Sequence, residues 1–335
     1  MTRAPAHAGR LRLSERFVFA LVFALMAGFV VAITMSAAGP LHLRLPGGAT
    51  TVAGAQTTPA DEAGSLPLQS AGIGAVQSAE RSATGHAAAV RPASARLDAL
   101  LAAAIRTVLR ARHGAVAVGV IDLTTGQQAL YHPDTQFRAA SIMTADILAA
   151  LLIRHQQAGT SVTSTQAHLA SAMIENGSGA AAAALWRAIG GRNGATAANH
   201  LLKLTHTSSG SGDQWDLTST TVADQLALLT DLTSARSPLP SAARDYVLGL
   251  LADGATGERW GVGAAAADDS GYAVGGGGLP DGRLWDVNSI GVVTHAGHVL
   301  LIAVLSSRSP TEAAGRSLAS AAAAAAADIA TRPGS

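Results

Sequence analysis

The sequence contains no cysteine, which excludes disulfides, thiolate catalysis and cysteine-ligated metal. It contains one lysine, Lys203, against 22 arginines. Aromatic residues make up 4% and charged residues 13%, so any core is built from alanine, leucine, valine and isoleucine. With a formal charge of +1, the chain has no global attraction for nucleic acid or an anionic surface. No basic stripe is interleaved with aromatics, and no nucleic-acid partner is expected. The eleven histidines are scattered without a His-Glu-x-x-His or similar spacing, so neither a metal nor another cofactor is expected.

One long apolar run is present. Phe17 to Ala38 is uncharged over 22 residues, enough to cross a bilayer. Arg3, Arg10, Arg12 and Arg16 precede it, with Glu15 as the one acid, which keeps residues 1–16 in the cytoplasm. A cleaved signal ending at Ser36-Ala37-Ala38 is the competing reading. Such signals have apolar regions of roughly 7–15 residues, so residues 17–38 are read as an uncleaved anchor, with the remainder outside the cytoplasm. Residues 39–95 are rich in Ala, Gly, Ser, Thr and Pro without apolar periodicity, the composition of a disordered tether. Its span as a coil is on the order of 40 Å.

The folded region is expected over residues 96–330. Leu97, Leu100, Leu101, Ile105, Val108 and Leu109 recur at helical spacing. Ala115 to Leu123 and Gln127 to Tyr131 flank Thr124-Thr125-Gly126 as a hairpin. Helical patterns then fill Ser141 to Leu251. Strand-like runs follow at Leu284 to Val293 and Val299 to Ser306, joined by Thr294-His295-Ala296-Gly297, and Glu312 to Ile329 is an alanine-rich helix. Strands at both ends around a helical insert predict an antiparallel sheet covered by the terminal helices, with the insert as a second lobe. The cleft between the lobes is the expected site.

Several stretches follow one another in a familiar order: Phe137-Arg-Ala-Ala-Ser141, Met173-Ile-Glu175, Ala184-Leu-Trp186, Asp213-Gln-Trp215, Leu217-Thr-Ser-Thr-Thr221 with Asp224, Trp260-Gly261, and Trp285-Asp-Val-Asn-Ser-Ile-Gly291. On these residues the region resembles the class A β-lactamase and serine hydrolase-like family, in particular its membrane-anchored or secreted actinobacterial members. The resemblance implies an α/β fold, the β-lactamase/transpeptidase-like α/β/α sandwich with an all-helical lobe. It also implies a catalytic serine served by two lysines.

Those motifs are broken here. The family's Ser-x-x-Lys reads Ser141-Ile142-Met143-Thr144. Ser141 is the candidate nucleophile, or a helix N-cap if taken alone. Thr144 stands in the lysine's place, and a hydroxyl is no useful base near neutral pH. The second motif, usually Ser-Asp-Asn, reads Gly177-Ser178-Gly179, which leaves Ser178 as a cleft-lining contact or part of a plain loop. The third, a Lys-Thr-Gly relative, has become Gly275-Gly276-Gly277-Gly278 after Val274. Gly275 and Gly277 line the cleft on this reading, although four glycines weaken a strand. A phosphate-binding loop would need a following Gly-Lys-Ser/Thr, which is absent. No glutamate lies between Glu175 and Glu258 to activate a deacylating water. Asp213 and Asp216 are read as turn residues, His206 as a residue that could approach the cleft, and His295 and His298 as solvent-facing. Arg138 stays protonated, so it can bind a carboxylate but cannot act as a base.

The expectation is an extracytoplasmic, monomeric, membrane-tethered class A β-lactamase-like protein. It would be catalytically impaired and act by binding a cell-wall or peptide ligand in its cleft. The alternative is an active serine hydrolase using Ser141 with a non-lysine base. Asn288-Ser289-Ile290-Gly291 belongs to the sheet and supports the fold without adding chemistry.

Overall fold

A computed structural model describes residues 94–254, 259–267 and 272–332, all within one unit of the chain, Ser70–Ser335. The expected anchor and residues 39–93 of the expected tether lie outside the described residues. Among those described, no helix is long and apolar enough to cross a membrane.

Helix α1 covers residues 94–111, and its helically spaced Leu97, Leu101 and Ile105 are buried. Strands β1 (Ala115–Asp122) and β2 (Gln128–Tyr131) form the expected hairpin, with Val118 opposite Tyr131 and Ile121 opposite Gln128. The turn is tied by Asp122, whose carboxylate accepts from the Thr124 amide at 2.8 Å and the Thr125 hydroxyl at 2.6 Å. Gly126 supplies the positive φ of 76°. His298 Nδ1 lies 2.8 Å from the same carboxylate. Burial pushes the Asp122 carboxyl up, but the bonds from Thr125, His298 and the Thr124 amide outweigh it and hold the group below its usual range. His295 is engaged as well, with Nδ1 2.8 Å from the Ala265 carbonyl and Nε2 3.3 Å from Asp328. The solvent-facing reading of His295 and His298 is therefore corrected: the twist of the hairpin carries both rings back onto partners.

The main sheet is antiparallel, in the order β2-β1-β7-β6-β5, where β5 is Ala273–Asp281, β6 Leu284–His295 and β7 His298–Ser307. Ala296 and Gly297 turn β6 into β7, both at positive φ (48° and 81°), as a two-residue hairpin of matching twist requires. The strand pattern does not reveal β5. Its glycine run has no side chains to alternate, and period-2 reading depends on them. The run is nevertheless an edge strand, paired with β6 from Ala273–Val292 to Asp281–Leu284. The edge position also tolerates Pro280. A second, two-stranded sheet, β3 (Phe137–Arg138) with β4 (Ser219–Thr220), is too short for pattern reading.

Alternation along β1 separates two cores. Val116, Val118 and Val120 face α1 and the closing helix α8 (Glu312–Ala330), whose Leu318, Ala319, Ala322 and Ala326 are fully buried. Ala117 faces the other way, with Leu301, Ala303 and Leu305, into the helical lobe. That lobe contains α2 (Met143–Ala158), α3 (Ser164–Ile174), α4 (Gly179–Ile189), α5 (Gly191–Leu201), α6 (Val222–Thr233) and α7 (Ser241–Gly254). Helix, sheet and helix stack in three layers, the sandwich expected from the sequence.

Small residues let α8 lie close to the sheet. A Cβ on Gly315 would stand 2.4 Å from Val287 Cγ2. Gly315→Val should overpack this seam and lower stability by about 1–3 kcal/mol, read as a reduced denaturant midpoint at unchanged slope. An unchanged midpoint would mean that the seam yields without resistance.

Candidate functional site

Where the helical lobe meets β5 there is a cleft of about 520 Å³, within the size range of small-ligand sites. Ser141 and Thr144 line it from the start of α2, Glu175 to Gly179 from the α3–α4 connection, and Gly275 to Gly278 from β5. Trp215, Trp260, Glu312 and Arg316 complete its walls. The structure thus gathers all five residues singled out from the sequence, Ser141, Thr144, Ser178, Gly275 and Gly277, around one cavity. His206 is not among the lining residues. Its backbone amide and ring face Asp224 instead, at 2.8 and 3.7 Å.

Ser141 does not cap a helix, which corrects the capping alternative. It sits inside a 3₁₀ turn, Ala140–Ile142, whose flanking Ala139 and Ile142 carry no side-chain cap. The turn is entered through Ala140 at φ 51°, a left-handed conformation that disfavours a residue with a Cβ. Such strain is of order 1–3 kcal/mol and persists where surrounding structure imposes it. The imposing group is Asn288, fully buried on β6. Its amide donates to the Arg138 carbonyl at 2.7 Å and the Ala139 carbonyl at 2.9 Å, and its Oδ1 accepts from the Ser306 amide at 2.9 Å. A sheet residue thus holds the segment that presents Ser141, a role the strand pattern alone does not show. An asparagine in the apolar β6 run was the available signal.

Ser141 projects onto the glycine strand. A Cβ on Gly277 would lie 2.5 Å from Ser141 Oγ and 2.6 Å from Ser141 Cβ. Among the described residues, no side chain hydrogen-bonds to the Ser141 hydroxyl. Thr144 is committed elsewhere, donating from Oγ1 to the Ser141 carbonyl at 2.8 Å. Ser178 is not slack loop: its hydroxyl caps α4 by accepting from the Ala181 amide at 3.2 Å. Asp213 pairs with Arg187 at 2.9 Å, with both side chains more than half exposed, and Asp216 lies in the 3₁₀ turn Trp215–Leu217. Arg138 does bind carboxylates, those of Asp286 at 2.7 Å and Asp281 at 3.2 Å. On the far wall, both Nε and one terminal nitrogen of Arg316 reach Glu312 Oε1, at 3.0 and 2.8 Å. The guanidinium carbon of Arg316 stands 4.5 Å from the centroid of Trp260. Among the described residues, no group of three His, Asp or Glu side chains could hold a metal ion.

A buried carboxyl lies behind this site. Asp146 on α2 is 2% exposed and its Oδ1 is 3.4 Å from Gln225 Nε2. Asp146 Oδ2 and Gln225 Oε1 have no hydrogen-bond partner among the described residues. Burial pushes the Asp146 pKa up to about 7, with the nearby Asp224 charge adding and the Gln225 bond opposing.

The arrangement is that of a known fold. The profile of the Beta-lactamase enzyme family matches residues 100–183. A β-lactamase from Xanthomonas campestris pv. campestris superposes with a TM-score of 0.58 at 21% identity, over 70% of this chain and 98% of its own. A class A β-lactamase from Bacteroides cellulosilyticus gives 0.61 at 15%, over 70% and 98%. A β-lactamase from Streptosporangium roseum gives 0.58 at 20%, over 70% and 97%. No curated protein matches the sequence. The fold is that of the class A β-lactamases, and the match to the Beta-lactamase enzyme family is confined to residues 100–183.

Two outcomes test this geometry. Gly277→Ala should overpack the contact between β5 and the Ser141 turn and lower stability by about 1–3 kcal/mol, read as a reduced denaturant midpoint; an unchanged midpoint would show that Ser141 can yield. For Asp146, a folded-state pKa above the unfolded value of 3.8 means that the folded chain binds the proton more tightly. Its contribution is therefore fully present below about pH 4, declines as pH rises towards 7 and stays lost above that, on the order of a few kcal/mol. Asparagine mimics the neutral acid. Asp146→Asn should melt above the wild type at pH 8, and the gap should close near pH 4; parallel melting curves from pH 4 to 8 would exclude this titration.

Proposed function

We propose that the chain is a class A β-lactamase-like protein, tethered outside the cytoplasm through residues 17–38, whose cleft binds a cell-wall fragment or peptide with little or no turnover. The observation that carries this reading is a cleft of enzyme-like form around an unassisted serine. Thr144 is bonded to a backbone carbonyl, and Gly275 to Gly278 offer no side chain to a substrate. Losing a positioned general base lowers a rate by about 10²–10⁴, and losses within one catalytic unit do not add independently. What an oxyanion pocket supplies alone is roughly 10³–10⁴ over water, too little for useful amide hydrolysis.

The competing reading, a working serine hydrolase, draws support from the strained φ of 51° at Ala140, because such strain gathers at reactive centres. Intact-mass measurement of the full-length chain after exposure to a fluorescent penicillin separates the two, with Ser141→Ala alongside. The expected result is a folded protein by circular dichroism and no stoichiometric adduct. A stoichiometric adduct that disappears in Ser141→Ala would overturn the impaired reading and establish Ser141 as a nucleophile.

A further inference from the structure

We infer that the cleft selects a peptide carrying a free amine or other cation, with the Glu175 carboxylate as its counter-ion. This rests on the reading of the cleft as a binding site and names the chemistry of what it takes.

Among the described residues, the charges that line the cavity are Glu175, Glu312 and Arg316, two carboxylates against one guanidinium. Glu312 is neutralised by Arg316 through two hydrogen bonds, while the guanidinium is also held over Trp260. Among the described residues, Glu175 pairs with no basic side chain. It is exposed at the cavity wall and forms the C-cap of α3, where the helix carbonyls add negative potential. Its charge reaches into the surrounding structure: burial pushes the Tyr246 phenol up, and the Glu175 carboxylate adds to that shift. The α4 N-terminus opens on the same cleft and would favour an anion. Two of its first four amides are already satisfied, Ala181 by the Ser178 hydroxyl and Ala182 by the Ser178 carbonyl.

The remaining walls suit a cationic peptide. Trp215 lines the cavity, and aromatic faces attract cations by their quadrupole. Edge strand β5 pairs only with β6 among the described strands. Across Gly275 to Gly278 it presents main chain without side chains, the surface an extended peptide uses when it adds a strand. A ligand carboxylate would meet Glu175 without a compensating lysine, so an anionic peptide is disfavoured by the same charge.

The test uses the full-length chain and two capped pentapeptides, acetyl-Gly-Gly-Lys-Gly-Gly-amide and its counterpart with Glu at the centre. Affinities are read by tryptophan fluorescence and calorimetry at low and 0.5 M salt. The lysine peptide should bind about fivefold or more tightly than the glutamate peptide, the scale of one exposed ion pair. The preference should shrink in high salt and vanish in Glu175→Gln. In Arg316→Gln, which releases Glu312, it should grow. Equal binding of both peptides, a glutamate preference, or a lysine preference that survives Glu175→Gln would overturn the inference while leaving the cleft a binding site. Failure of the wild type to bind either peptide would overturn both readings.

Discussion

The approach of the Ala140–Ile142 turn to Gly277 is the contact on which the site depends. It is where the helical lobe meets the sheet at the head of α2, and it requires a strand residue with no Cβ. It also requires a left-handed alanine, which the chain does not adopt unforced. Three hydrogen bonds from one buried asparagine, Asn288, supply the constraint. Their alternative, buried carbonyls and an amide without partners, costs about 1–3 kcal/mol for each group, comparable with the strain at Ala140. Sheet register thus fixes the position of Ser141, and the strain is held by hydrogen bonding in the layer beneath.

Fold and chemistry rest here on different residues. The sandwich is held by apolar alternation on β1, β6 and β7 and by the small-residue face of α8, none of which reaches the cleft. Chemistry of the family type would rest on a few side chains at the cleft surface, of which Ser141 is present. Thr144 lies one helical turn after Ser141 and satisfies a backbone carbonyl, a local bond that threonine makes readily. Among the described residues, the charges at the cleft are the Glu312–Arg316 pair and Glu175, which pairs with no basic side chain.

Most of the framework was legible from periodicity. The leucine spacing of α1, the Thr124-Thr125-Gly126 turn and the paired runs before and after Ala296-Gly297 stand within one or two residues of the observed elements. Strand β5 was not legible, because pattern reading needs side chains and this strand has few. The β3–β4 pair escaped because two residues carry no period. The cleft residues were found through the broken motifs, but what holds them was not. Asn288 reads as one polar position in a strand, and Asp146 disappears within the apolar run from Ala145 to Ile153. His295 and His298 read as turn residues, yet their rings fold back onto Ala265, Asp328 and Asp122. In each case the missing information is tertiary: which buried polar atom faces which.

The glycine run is more than an absence. A Cβ at Gly276 would lie 2.9 Å from Trp260, at Gly277 2.5 Å from Ser141, and at Gly278 3.0 Å from Glu312 and 3.2 Å from Trp285. The room that side chains would need on this strand is occupied by the neighbours themselves, two of them tryptophans. Interior gaps lose dispersion contacts, and Trp260 and Trp285, packed against the bare strand, supply such contacts. A side chain at 276, 277 or 278 would have to displace an indole, Glu312 or the Ser141 turn, and interdigitated structure resists such displacement. The β5 wall of the cleft thus presents main chain, with indole and carboxylate side chains packed against it.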